Sequence, residues 1–206
     1  MEDTDPGTLR FTPSPTIATV DPVDLLFVSG SLQRESANRA LLRVAERCAP
    51  ARAAVHWFER LGDLPHFNPD LDGDAPAALV EWRQAVAGAG GVLIASPEYA
   101  HSLPGSLKNA LDWLVGTGEL YDKPVGLMSA GTSGGQRALD ALSQTLHAQG
   151  ARVTGQLTVA GVRPKLDARG EIADPETITG ACALVGGLVD AAVDAAGGPM
   201  GSAESG

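Results

Sequence analysis

Apolar residues along this chain fall in short runs that alternate with longer stretches of helical spacing. Val23-Asp24-Leu25-Leu26-Phe27-Val28 is a run of the kind a buried parallel strand makes. Leu41, Val44, Ala45 and Cys48 then share one helical face. Ala53 to Phe58 predicts a weaker second strand, followed by a Pro-rich loop, Leu61 to Pro76, and a helix carrying Leu79, Trp82, Ala85 and Val86. Gly91 to Ala95 predicts a third strand, with Leu107, Ala110, Leu111 and Leu114 striping the helix after it. Pro124 to Ser129 is the fourth strand, backed by Leu139, Leu142 and Leu146. Val153 to Val159 is the fifth, and Ile178, Ala181, Cys182, Val185 and Leu188 mark a last helix.

This alternation predicts a three-layer α/β fold around a doubly wound, five-stranded parallel sheet with right-handed crossovers. The common arrangement of such a sheet is flavodoxin-like, in strand order 2-1-3-4-5. Its switch point lies between strands one and three, and ligands bind there beyond the carboxyl ends of the strands. One domain is expected over residues 23–196. Residues 1–22, with several Thr and Pro and little apolar periodicity, read as a flexible arm, and residues 197–206 as a flexible tail.

Three loops at strand ends carry the candidate chemistry. Ser29-Gly30-Ser31-Leu32-Gln33-Arg34-Glu35-Ser36-Ala37-Asn38 follows strand one and opens a helix. Hydroxyls beside a helix N-terminus, with its free N–H groups and positive dipole end, suit a phosphate. No Gly-Lys-Ser/Thr and no G-x-G-x-x-G is present, so a phosphomonoester fits better than a nucleoside triphosphate or a pyrophosphate. An ordinary serine N-cap explains part of the same pattern. Ser96-Pro97-Glu98-Tyr99-Ala100-His101-Ser102-Leu103-Pro104 follows strand three, and its two prolines stiffen a loop able to meet the polar edge of a flat ring. Ser129-Ala130-Gly131-Thr132-Ser133-Gly134-Gly135 follows strand four, and its glycines let backbone approach a ligand closely. Together the loops suggest a phosphorylated aromatic cofactor, best matched by flavin mononucleotide (FMN). The assigned residues are Ser29, Ser31, Arg34, Ser36 and Asn38 for the phosphate. Pro97, Glu98, Tyr99, Ala100, Ser129 and Gly131 are assigned to the ring.

Gly131-Thr132-Ser133-Gly134-Gly135 also matches the G-x-S-x-G of a hydrolase nucleophile. That chemistry needs a later histidine, and the only one, His147, lies in the helix directly behind Ser133. His56, His66 and His101 show no metal-ligand spacing, and no metal site is expected. Only His101 neighbours a site loop.

The formal net charge of −10 argues against nucleic acid and against an anionic membrane surface as partners. Cys48 and Cys182 read as small core residues of a reduced, cytoplasmic protein, since no C-x-x-C or Cys/His cluster accompanies them. The first twenty residues do not read as a signal peptide, and no apolar run is expected to be long enough to span a bilayer.

The chain resembles the NADPH-dependent FMN reductase family, the flavodoxin-like quinone and azo reductases. Gly30, Ser31, Ser36 and Asn38 match that family's G-S-x-R-x-x-S-x-N in register, with Gln33 at the Arg position and Arg34 one step on. Pro97, Glu98 and Tyr99, then Ser102, Pro104, Gly105, Leu107, Lys108, Asn109, Ala110, Asp112 and Trp113, match its P-E-Y-N and S-x-P-G-x-L-K-N-A-x-D-W patterns, with Ala100 replacing the Asn. Ser129, Gly131, Gly134 and Gly135 match its Ser/Gly-rich third loop, and the resemblance implies that Gly134 and Gly135 shape the nicotinamide or acceptor space. The resemblance covers residues 23 to 160. It implies an enzyme that passes hydride from NADPH through FMN to a small-molecule electron acceptor by a ping-pong reaction. The acceptor is a quinone, an azo compound, a flavin or a metal oxyanion, and no obligatory acid or base is nominated. It also implies a homodimer or homotetramer, with the helix bearing Leu107 to Leu114 as an interface element. Other readings are a flavodoxin-like electron carrier, a reductase supplying flavin to a monooxygenase, and a flavin fold without flavin that serves as a binding module.

Overall fold

The computed structural model describes residues 22–197. The expected arm and tail, except Pro22 and Gly197, lie outside them. The elements run β1 (Val23–Ser29), α1 (Ala37–Cys48), β2 (Ala53–Phe58), α2 (Ala77–Gly88), β3 (Gly91–Ala95) and α3 (Gly105–Asp112), then β4 (Pro124–Gly131), β5 (Ser133–Gly134), α4 (Gln136–Ala148), β6 (Arg152–Ala160) and α5 (Pro175–Gly197).

The sheet has six strands in the order β2-β1-β3-β4-β6-β5, not five. The expected order holds for the parallel part, β2-β1-β3-β4-β6. The added strand is the two-residue β5, which pairs antiparallel with the end of β6 through Ser133↔Ala160 and Gly134↔Val159. Two residues carry no readable period, and their pairing arises only because the chain crosses the end of β6 on its way into α4.

Alternate strand residues feed two cores, as the period of two requires. Leu26, Val28, Val92, Ile94, Val125 and Leu127 pack against α2, α3 and α4. Leu25, Phe27, Leu93, Ala95 and Met128 pack against α1 and α5 on the other face. Asp174 caps α5 by accepting from the Thr177 N–H at 3.0 Å, with Pro175 opening the first turn. The Thr177 and Lys165 donors hold the Asp174 carboxyl down at about 2.

Two expectations are overturned in this second layer. Cys48 and Cys182 are not separate packed thiols: they form a disulfide between the end of α1 and α5, with Cα atoms 5.0 Å apart. Both positions fit an apolar helical stripe, and only the juxtaposition of the two helices on one sheet face reveals a pair. The reduced compartment drawn from two unpaired cysteines loses that support. Secondly, α5 spans 23 residues with a hydropathy of 1.5, long and apolar enough to cross a membrane by length and composition alone. Its inner stripe, Ala181, Val185, Leu188, Val189 and Ala192, is nonetheless buried against the sheet. Leu188 reaches the backbone of β3 so closely that a Cβ on Gly91 would sit 3.1 Å from its Cδ1. A core helix meets the same length and composition criteria as a membrane span.

The disulfide closes a sequence separation of 134 residues, so it removes much unfolded-chain freedom. Reduction, or Cys182→Ser, is expected to lower stability by about 2–4 kcal/mol in urea unfolding of air-oxidised protein. An unchanged midpoint with and without reductant would show that the bond does not form.

Candidate functional site

Loops at the carboxyl ends of β1, β3 and β4 meet around a cleft of about 360 Å³, within the range of small-ligand sites. The first loop is built by close approach. The Gly30 N–H donates to the Ala95 carbonyl at 2.8 Å, and a Cβ at Gly30 would lie 2.9 Å from Leu107 Cδ2. Ser29 Oγ turns inward to donate to the Ser31 carbonyl, and Ser31 Oγ accepts from the Gln33 N–H. Ser36 is the N-cap of α1: its Oγ accepts from the Arg39 N–H at 3.1 Å. The Ala37 and Asn38 N–H groups in that first turn have no helical acceptor and face the cleft end of α1.

Asn38 is buried, and its amide reaches across to the end of β4. Nδ2 donates to the Ala130 carbonyl at 3.1 Å, and Oδ1 accepts from the Ala130 N–H at 2.9 Å. The β3 chain that would pair there has ended: Ser96 donates its N–H to Met128, and the next residue, Pro97, has none. The Asn38 side chain replaces the missing strand. It lines the cleft and serves as a backbone clamp, which takes up one of its two amide protons.

The second loop closes as a tight hairpin. Tyr99 and Ser102 exchange N–H···O bonds of 3.0 Å, and Ala100 and His101 hold φ of 49° and 65°. Such a turn favours Asn or Gly at both central positions, so this one is held under local strain. Glu98 is half-buried in the cleft wall. His101 Nδ1 lies 3.2 Å from Glu98 Oε1 and 2.8 Å from Arg137 Nη1. A guanidinium only donates, so the Arg137 contact requires an unprotonated Nδ1 and the Glu98 contact a protonated one. The two contacts therefore alternate with the tautomer or charge of the ring.

In the third loop Gly134 and Gly135 hold φ of 89° and 79°, and α4 starts directly after them. A Cβ on Gly135 would lie 2.0 Å from Ser129 Oγ. That hydroxyl is buried and has no hydrogen-bond partner among the described residues. A buried polar atom without a partner costs free energy unless a ligand or water supplies one.

The cleft therefore brings together Ser31, Ser36 and Asn38 from the first loop, Pro97, Glu98 and Tyr99 from the second, and Ser129, Gly131 and Gly135 from the third. Ser29 and Arg34 instead line an adjoining cavity of about 560 Å³ on the β2 side of the first loop. Ala100 sits at the exposed hairpin tip, and Gly134 is buried in the turn behind the cleft. Gln33, Glu35, Thr132 and Ser133 also line the cleft, a role the sequence reading did not give them. Thr132 and Ser133 stand inside a loop already singled out, whereas Glu35 shows no sign of facing inward until α1 is placed.

The motif residues after Pro104 act at a distance from the cleft. Asn109 accepts from the Phe67 N–H and donates to the Pro65 carbonyl, and Trp113 Nε1 donates to that same carbonyl. They pin the Pro-rich loop to α3. His147 is out of reach of Ser133, because it lies at the far end of α4, roughly 15 Å along a helix that rises about 1.5 Å per residue.

The residues fit an FMN-sized ligand: a hydroxyl-lined cradle at a helix N-terminus, a floor where any side chain at 135 would collide, and a buried hydroxyl awaiting a partner. Comparison with known proteins agrees. The sequence profile of the NADPH-dependent FMN reductase family matches residues 23–163. A quinone reductase of Escherichia coli K12 is 32% identical over 167 residues, covering 77% of this chain and 89% of that one. A 2-hydroxy-1,4-benzoquinone reductase of a Burkholderia species is 42% identical over 86 residues, 42% of this chain and 46% of its own length. Among solved structures, the flavoenzyme NAD(P)H:(acceptor) oxidoreductase FerB of Paracoccus denitrificans superposes with a TM-score of 0.75 at 28% identity, covering 84% of this chain and 98% of that one.

Asn38→Ala leaves the buried N–H and carbonyl of Ala130 unpaired. It is expected to cost about 2–3 kcal/mol in urea unfolding. A cost near zero would show that water enters and replaces the clamp.

Proposed function

The chain belongs to the NADPH-dependent FMN reductase family, and from that premise we propose that its cleft binds FMN and reduces a small electron acceptor of the quinone class, with NAD(P)H as donor. The observation that carries this reading is the unpartnered Ser129 hydroxyl under the Gly134–Gly135 turn, at the meeting point of three strand ends.

When bound, FMN supplies the hydride chemistry, taking a hydride from the nicotinamide and giving it to the acceptor. The chain's own residues bind and orient. Ser31 and Ser36, with the Ala37 and Asn38 N–H groups, receive the tail of the flavin. Ser129 would donate to the polar edge of the ring, and Gly131 and Gly135, without side chains, would let the ring approach the backbone closely. Pro97 and Glu98 form the opposite wall, and the half-exposed Tyr99 stands at the rim, 54% accessible. In the proposed order donor and acceptor take turns at the flavin, a ping-pong sequence. Asn38 is a positioning residue in this scheme.

Exposed Val115 and Tyr121, just beyond α3, support a self-associating face on that side, in line with a homodimer or homotetramer. A cytoplasmic setting, where NADPH is at hand, completes the proposal; reductants there would keep Cys48 and Cys182 open.

Purified protein is expected to show flavin absorption bands, as isolated or after adding FMN, that bleach on anaerobic NADPH and return on adding a quinone. A protein that neither holds nor reduces flavin would overturn the reading. Ser129→Ala should leave the flavin-free protein as stable or slightly more so, since it removes an orphaned hydroxyl, yet weaken flavin binding about tenfold. Equal affinity of the variant in fluorescence titration would remove Ser129 from the site.

A further inference from the structure

The charges around the tail end of the cleft are unusual for a phosphate site. A phosphomonoester carries about −1.5 to −2 charges at neutral pH and is normally met by Arg or Lys. Among the described residues, the only charged side chains lining this cleft are Glu35 and Glu98. The nearby cations are committed elsewhere. Arg39 makes a two-pronged ion pair with Glu59, lies 5.1 Å over the Trp57 ring, and is held protonated first by the Glu59 hydrogen bond and further by Glu59 and Glu35 charge. Arg43 pairs with Glu171 at 2.7 Å. Arg34 lines the adjoining cavity, which shares Ser31, Gln33 and Glu35 with the cleft, and not the cleft itself. Position 33, which does line the cleft, is the uncharged Gln33.

We infer that this cleft is nearly indifferent to the flavin's phosphate and takes an isoalloxazine with an uncharged ribityl tail, riboflavin, about as well as FMN. This rests on the flavin reading above. The groups left for the tail are two serine hydroxyls and two backbone N–H groups, which serve a terminal hydroxyl as well as a phosphate oxygen. The half-charge of the α1 N-terminus favours the phosphate, but Glu35, one residue before the N-cap, and a chain of net charge −10 oppose it. The expected consequence is a flavin that exchanges freely and serves as a substrate class, phosphorylated or not.

The test is fluorescence titration of the full chain with riboflavin and with FMN, at low and at moderate salt. The two dissociation constants should agree within about threefold, with FMN binding little changed by salt. Gln33→Arg, at an exposed position, should tighten FMN about tenfold and leave riboflavin unchanged. Arg34→Gln should leave the FMN-to-riboflavin ratio as it is. FMN binding more than about tenfold tighter than riboflavin in the native chain, or a loss of FMN preference in Arg34→Gln, overturns the inference while the flavin reading stands. Binding of neither flavin overturns the flavin reading itself and this inference with it.

Discussion

The cleft depends on one side-chain amide. Asn38 pairs with both backbone groups of Ala130, 92 residues away, where β4 outruns β3. A parallel sheet buried on both faces has no water to satisfy a strand that continues past its neighbour. Pro97 ends β3, redirects the chain into the Glu98–Ser102 hairpin, and leaves a gap one strand wide. Asn38 fills the gap from α1. That single contact fixes the N-terminus of α1, the end of β4 and the start of the third loop relative to one another, and so fixes the three walls of the site.

Electrostatics divides the two ends of the cleft. At the tail end every guanidinium near the first loop is either paired with a carboxylate or turned to the β2 side, and the lining charge is negative. At the ring end Glu98, His101 and Arg137 form a chain of contacts between the second loop and α4, with the imidazole able to satisfy one neighbour at a time. These exposed ion pairs contribute little to stability. They matter for what the cleft attracts and for how the strained hairpin is held.

Much of this was legible in the chain itself. The parallel strands, their order and the loops at their ends follow from apolar runs bounded by Gly, Pro and Ser. Ser31, Ser36, Glu98, Ser129 and Gly135 were readable because loops after strands one, three and four of a doubly wound sheet must converge. Other features left no local trace. The two-residue β5 is too short for a period. The Cys48–Cys182 bond joins two positions that each look like ordinary helical core. The apolar length of α5 is hidden by small residues such as Gly180, Gly186 and Gly187, which break an apolar run on the page but not a helix.

The sequence by itself determined the layers, the strand order and the family, because period, punctuation and motif spacing are local properties. Only the tertiary structure decided which residues face the cleft. Arg34 and Glu35 are neighbours in the chain, yet the turn into α1 leaves the cation on the outer cavity alone, while the carboxylate borders both that cavity and the cleft. Likewise the role of Asn38 was set by where Ala130 arrives. Side-chain direction at a loop-to-helix junction depends on the backbone path and on distant partners, and neither is written in the residues next to it.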